Sequence, residues 1–154
     1  MPAIAEKVKL HGLAATWHLL GQDRLYEKYQ TRLAAFNYLN AHSLPFNAMK
    51  SLSGVVRVEL RKEGTKVFGL EQRTILRRSK AARLPHEEAS ALFRIAEVVV
   101  KAIDAFDDQD KAIRWMRKPC RALENNVPLF LLRDDVGRGL VEDVLGQIKY
   151  GLYS

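Results

Sequence analysis

Residues 85–106 read PHEEASALFRIAEVVVKAIDAF, and this stretch decides the fold. Ala89, Leu92, Phe93, Ala96, Val99, Val100, Ile103 and Phe106 recur at three- and four-residue intervals, one broad apolar face of a 3.6-residue period. Pro85 suits a helix start, because the first turn needs no N–H from it. Glu87 and Glu88 fall in the first turn, where the helix dipole favours negative charge. Asp107 and Asp108 end the pattern. The spacing predicts a long helix from Pro85 to about Phe106.

The flanking sequence also reads as helix. Downstream runs DKAIRWMRKPCRALENNVPLFLLRDDVGRGLVEDVLGQIKYGLYS, from Asp110 to Ser154. A short helix around Lys111 to Arg117 buries Ile113, Trp115 or Met116. Pro119, Asn125, Asn126 and Pro128 build a turn, and Pro128 opens a second short helix through Leu132. Asp134 or Asp135 caps a last helix that runs to about Tyr150 and stops at Gly151, a glycine placed just past the end. Upstream, residues 1–20 are mildly amphipathic, weakened by Gly12. Asp23 to Asn40 carries the stripe Leu25, Tyr29, Leu33 and Phe36, with Asp23 as N-cap. Ser43-Leu44-Pro45 starts a further helix that ends near Ser53-Gly54. Val56, Val58 and Leu60 alternate as a strand does. No second strand is available to satisfy its backbone groups, so the stretch reads as loop or helix. The fold class expected is all-α.

Size and composition set bounds. The chain has 154 residues, 47% of them hydrophobic, enough for one domain or two small ones. The formal net charge is +7 and the pI is near 9.7, which favours an anionic partner: nucleic acid, an acidic protein or a membrane surface. Cys120 is the single cysteine, so no internal disulfide forms, as suits a reducing compartment. Glu6, Lys7 and Lys9 interrupt any signal-peptide core, and no run approaches the roughly 18 apolar residues of a membrane span. A cytoplasmic protein with no membrane role is expected.

The basic charge is concentrated. Between Val55 and Arg83 stand nine cations (Arg57, Arg61, Lys62, Lys66, Arg73, Arg77, Arg78, Lys80, Arg83) against three acids (Glu59, Glu63, Glu71), a local excess of six. Within VFGLEQRTILRRSKAAR, residues 67–83, Gly69 lies in a tight turn between two helices, with Leu70 and Ile75 spaced to pack the second onto the first. That is a helix-turn-helix layout, whose second helix enters the DNA major groove. Its exposed residues are Gln72, Arg73, Thr74, Arg77, Arg78 and Lys80. Arginine pairs with guanine and glutamine with adenine through two hydrogen bonds each, while lysine and threonine suit phosphates. Gly64, where an apolar or helix-forming residue is usual, makes the first helix irregular. A solvated basic face or an acidic protein partner fits the same charges.

Catalysis is not expected. His11, His18, His42 and His86 are scattered and stand beside no cysteine or paired acid at metal-ligand spacing. Asp107, Asp108 and Asp110 lack the glycine and distal glutamate of a calcium loop and read as helix termination and capping. Cys120 has cationic neighbours, Lys118 and Arg121, but no histidine nearby in sequence. Neither a metal nor a cofactor is expected.

The ordered set LPFNAMKSL, GLEQRTILRR, the long helix, DKAIRWMRKPCRAL, NNVPLFLL and GLVEDVLGQIKYGLYS resembles the Xre/MbcA/ParS antitoxins, over about Leu44 to Ser154. The resemblance implies an all-helical antitoxin of a type II toxin-antitoxin system, usually dimeric, with an Xre-like helix-turn-helix and a C-terminal toxin-binding domain. It implies a RES-domain toxin that degrades NAD, whose active-site cleft the antitoxin occupies, and repression of the operon's own promoter. The divisions expected are 1–43 (an N-terminal helical region outside the resemblance, giving dimer contacts, a cap over the middle domain or own-core packing), 44–84 (helix-turn-helix) and 85–154 (toxin binding). The toxin-binding residues expected are Lys149, Tyr150, Gly151, Leu152, Tyr153 and Ser154, a tail whose two phenols and anionic end suit a dinucleotide cleft. The same tail fits a frayed terminus or packing on its own core. A helix-turn-helix regulator with no toxin is the alternative, and a helical scaffold with no DNA role a third reading.

Overall fold

The computed structural model describes residues 11–151, all of whose regular elements are helical. In chain order they are α1 (Gly12–Leu19), α2 (Asp23–Lys28), α3 (Arg32–His42), α4 (Phe46–Val55), α5 (Leu60–Phe68), α6 (Gln72–Ser79), α7 (His86–Phe106), α8 (Gln109–Met116), a 3-10 turn (Arg121–Leu123), α9 (Pro128–Leu131) and α10 (Asp135–Lys149). The long helix stands where its periodicity placed it. Pro85 is its N-cap in extended backbone, and Asp107 ends it by turning left-handed, φ 53°. Asp108 then caps α8, its carboxylate accepting from the Lys111 N–H at 2.9 Å.

α7 is buried on more than one face. Besides the expected positions, Ile95, Val98 and Ala102 are buried. The reason is that α1 and α3 pack on it from the N-terminal part of the chain while α8 and α10 pack on it from the C-terminal part. One continuous hydrophobic core therefore runs through all three expected segments. Trp17 of α1 is fully buried in it. Its ring stands edge-on to Phe93 (5.2 Å) and Tyr38 (6.0 Å), and its Nε1 donates to the Tyr29 carbonyl at 3.2 Å.

One helix departs from its reading, and the stretch read as loop or helix is a turn. The helix read over Asp23–Asn40 is broken between Lys28 and Arg32. Thr31 caps α3 by accepting from the Ala34 N–H at 3.0 Å, a local bond that competes with helix continuation. The four-residue stripe is thereby divided: Leu25 and Tyr29 pack against the core, whereas Leu33 and Phe36 are 69% and 58% exposed. The alternating Val56 and Val58 are both buried without a strand. Arg57 between them takes φ 60°, and the Val58 N–H reaches back to the Ser53 carbonyl at 2.9 Å, so the pair rounds a turn.

The C-terminal unit closes through backbone geometry. Cys120 N–H donates to the Asn126 carbonyl at 3.0 Å, with Glu124 and Asn125 at positive φ between them. Pro128 leads α9, and the Asp134 carboxylate caps α10 by accepting from Gly137 N–H at 2.8 Å. Gly137 is obligatory for contact. A Cβ there would lie 1.9 Å from the Leu131 carbonyl oxygen. Nothing lies within 4 Å of a Cβ built on Gly139 or Gly146.

A chain of charges stitches the layers together. Arg32 of α3 meets Glu97 of α7 through two hydrogen bonds (2.7 and 3.0 Å), Glu97 meets Arg94 (3.1 Å), Arg94 meets Glu142 of α10 (3.0 Å), and Glu142 also accepts from Lys101. Burial pushes the Glu97 carboxyl up, but hydrogen bonds from Arg32 and Arg94, reinforced by their charges, outweigh it and hold the group below the usual carboxylate range. Glu142 is held down in the same way by Lys101 and Arg94 against its own burial.

Gly137→Ala is expected to cost more than about 3 kcal/mol, because backbone must move, whereas Gly139→Ala and Gly146→Ala each stabilise α10 by roughly 0.5–1 kcal/mol. Urea unfolding of the three variants checks the contrast. A second expectation concerns pH. A carboxyl whose folded pKa is depressed contributes stability above its unfolded value, about 4.3 for glutamate, and that contribution is lost as pH falls through the lower folded value. Glu97→Gln should therefore cost about 1–3 kcal/mol at pH 7 and flatten the acid limb of the stability profile, as measured by urea midpoints between pH 7 and pH 3.

Candidate functional site

The basic segment folds as α5, a three-residue turn and α6. Gly69 caps α5 in the left-handed region (φ 70°), its N–H donating to the Thr65 carbonyl at 2.9 Å. Gly64, the irregular position, has a packing reason: it is buried, and a Cβ on it would stand 3.0 Å from Ile75 Cδ1 of α6. The missing side chain lets the two helices close. Ile75 is buried in that contact and Leu70 packs on the core. α6 ends at Ser79, with Lys80 as its C-cap.

The six residues expected on the outer face of α6 fall into two sets. Arg73, Arg77 and Lys80 are exposed, and among the described residues no ion pair holds them. Gln72 is exposed, and its amide donates to the Arg61 carbonyl. Thr74 is half-buried. Arg78 is turned inward: its Nε and Nη2 grip the Glu88 carboxylate in the first turn of α7 at 2.9 and 2.6 Å. It therefore fastens α6 to the scaffold. Leu76, absent from the expected set, is 61% exposed on the same outer face. Its spacing from Gln72 and Lys80, four residues each way, was the available signal.

A second group of cations, Arg114, Arg117, Lys118 and Arg121, is half engaged in ion pairs. Arg114 meets Asp110 at 3.0 Å. Arg117 donates to the Val56 carbonyl (3.3 Å) and pairs with Glu63 of α5 (3.2 Å), joining the C-terminal unit to the basic segment. Lys118 and Arg121 are exposed. Trp115 is half-buried, its ring tilted against Phe106 at 5.5 Å. Among the described residues no three His, Cys, Asp or Glu side chains gather as metal ligands.

α10 presents a distinct outer face. Val141, Val144 and Leu145 point into the core, and Arg138 is buried with them, its Nη1 donating to the Leu132 carbonyl at 3.0 Å. Opposite lie Val136 (75% exposed), Leu140 (48%) and Tyr150 (73%), with exposed Asp143 and Gln147 between them. At 100° per residue these five, with Gly139 and Gly146, occupy one third of the helix circumference. The two glycines carry a helix cost with no packing requirement among the described residues. The sequence named only Tyr150 of this face, because the helix was read from its Asp134 or Asp135 cap and its Gly151 stop, with no face assigned. At the helix end Lys149 bonds Asp104 of α7 at 2.7 Å, and that bond, then the charge of Asp104, holds its ammonium above the ordinary lysine range. Lys149 thus braces the helix end, with its Nζ also 6.0 Å from the Tyr150 ring. Gly151 follows at φ 70°. Leu152, Tyr153 and Ser154 of the expected toxin-binding set lie outside the described residues.

Residues 101–151 match the family model described as the antitoxin Xre/MbcA/ParS C-terminal toxin-binding domain. The match takes in the end of α7 and everything through α10. Two relatives, each named Antitoxin Xre, align with the chain. One, from Yersinia enterocolitica, is 33% identical over 88 residues, covering 56% of this chain and 60% of the relative. The other, from Photorhabdus laumondii, is 31% identical over 91 residues, covering 58% of this chain and 62% of the relative. The chain thus spans about three fifths of the length of these relatives.

Proposed function

We propose that this chain, a relative of the Xre/MbcA/ParS antitoxins, is the antitoxin of a type II toxin-antitoxin system, working in the cytoplasm without catalysis of its own. The observation that carries the reading is the coincidence of two features. The span that matches a toxin-binding domain ends in a helix whose outward face exposes Val136, Leu140 and Tyr150 around Asp143 and Gln147, beside two glycines with no packing role among the described residues. Exposed aliphatic and tyrosine side chains on a rigid helix are what a protein interface uses as anchors. Glycines beside them let a partner's backbone approach closely.

The finer reading follows the resemblance. The partner is a RES-domain toxin that degrades NAD, the outer face of α10 docks on it, and the segment Lys149, Tyr150, Gly151, Leu152, Tyr153 and Ser154 closes its active-site cleft. Segment 44–84 binds the operon's own promoter through a helix-turn-helix made of α5 and α6, with Arg73, Arg77 and Lys80 as the available cations. Gln72 and Thr74 stand beside them. Arg78 serves that surface by holding α6 in place. Segment 1–43 supports a homodimer within the larger toxin-antitoxin complex. Leu33 and Phe36 of α3 are exposed and themselves line an open hollow of about 300 Å³, together with Arg32, Leu39, Ser90, Phe93 and Arg94. Exposed apolar side chains grouped on one face are what a two-fold contact between copies would bury. The cationic face of α6, taken alone, would also suit a regulator with no toxin.

Co-expression with the neighbouring gene separates these readings. The antitoxin reading expects the neighbour's product to co-purify with this chain and cells to survive its induction only when the chain is present. Survival without the chain would leave the regulator. Leu140→Arg is expected to weaken capture at least tenfold while leaving the urea midpoint unchanged, since the side chain is half exposed; unchanged capture would remove α10's outer face from the interface. For the dimer, Phe36→Glu should shift the sedimenting species to the monomer mass, and an unaltered mass would place the two-fold contact elsewhere.

A further inference from the structure

We infer that Leu76 reads sequence on the DNA, its side chain packing against the 5-methyl group of a thymine in the major groove. The inference rests on the proposal that α6 binds DNA and adds the group that selects a base. Leu76 is 61% exposed and lies outside the set of apolar residues packed on the core, so among the described residues it has no packing role. It is one of few large apolar side chains left in solvent among the described residues. Around the axis of α6 it falls between Gln72 on one side and Lys80 and Arg73 on the other, with Arg77 beyond them. That arc contains no acidic residue.

The surroundings select the partner. An acidic protein would satisfy the cations, and so would the phosphates of a duplex, but the duplex also fits the shape. A helix about 10–12 Å across matches a major groove about 12 Å wide. Within that groove the base edges offer hydrogen-bonding groups and a single apolar one, the thymine methyl. A leucine between a glutamine and a row of cations on the inserted face has that methyl as its apolar complement there. Arg73, Arg77 and Lys80 then act on phosphates or guanine, and Leu76 discriminates thymine from cytosine. An α6 held by Arg78 to Glu88 and by Ile75 over Gly64 presents these side chains from a fixed frame, as base readout requires.

The test uses the full chain and DNA from upstream of its own coding region. Footprinting defines the protected segment, and synthetic duplexes of that segment then carry deoxyuridine in place of each thymine in turn, which removes only the methyl group. Binding is read by fluorescence anisotropy over a range of salt. At one thymine per protected half-site the wild-type chain should lose about three- to tenfold in affinity, the worth of one to two buried methyl groups. Leu76→Ala should lose a similar factor on the thymine duplex and be indifferent to that same replacement. Arg77→Ala should weaken all duplexes alike and reduce the salt slope by about one. Tolerance of every deoxyuridine by the wild-type chain, or full retention of methyl sensitivity by Leu76→Ala, would overturn the inference while leaving DNA binding intact. Absence of salt-dependent binding to any duplex would sink the DNA reading of α6 and this inference together, with an acidic protein then the partner of that face.

Discussion

The burial of α7 on several sides is the constraint from which the rest of the molecule follows. Nine of its side chains are buried, and no single neighbour can cover so much circumference. The chain answers by wrapping: α1 and α3 arrive from before the helix, α8 and α10 from after it. Each of these is too short to be stable by itself in water. Their helicity is thus a property of the shared core. Basic segment and C-terminal unit are tied to the same axis, the first through Arg78 and Glu88 at its start, the second through Glu142 with Arg94 and Lys101 along its length.

Glycines show how packing and surface divide the sequence between them. Gly137 and Gly64 are small because something occupies the space a Cβ would take, a carbonyl in the first case and Ile75 in the second. Gly139 and Gly146 have open space around them. Within the free chain they only weaken α10. An identical residue type thus serves opposite ends within ten positions of one helix, and only the geometry separates them. The open pair shares its face with Val136, Leu140 and Tyr150, side chains that hydrophobic burial also left outside.

The sequence was legible where local chemistry is decisive. The long helix, the Asp108 and Asp134 caps, the glycine turn at Gly69 and the proline start of α9 all rest on interactions within a few residues, and all stand in the structure. So did the all-helical class. Legibility failed where two local signals competed or where a face had to be assigned. Leu25, Tyr29, Leu33 and Phe36 are correctly spaced for a helix, yet the Thr31 cap breaks the run and sends its halves to different environments. Arg78 reads like Arg77 in sequence. Only the fold brings Glu88, ten residues later, under one of them. Gly64 looked like damage to the first helix of a pair because the neighbour it admits, Ile75, belongs to the second.

The distribution of charge follows from the same division. Folding draws on those cations that an acid can reach: Arg57 meets Asp110, Lys62 meets Glu59, Arg78 meets Glu88 and Arg117 meets Glu63. Burying a cation without such a partner is costly, so the remainder must stay in water. Because the segment from Val55 to Arg83 holds far more cations than acids, the remainder stays exposed along that segment, as Arg61 and Lys66 on α5 and Arg73, Arg77, Lys80 and Arg83 on α6 and just beyond it. A surface of this kind does not require a special device. It is what remains when a chain with an unbalanced stretch satisfies its interior first, and its strength as a binding face is set by how few acids that stretch contains. The exposed Val136, Leu140 and Tyr150 of α10 arise by the parallel route, on an amphipathic helix whose inward half already fills the core. The surfaces available for partners at α6 and α10 are thus the two kinds of surplus, of charge and of apolar area, that one scaffold helix could not absorb.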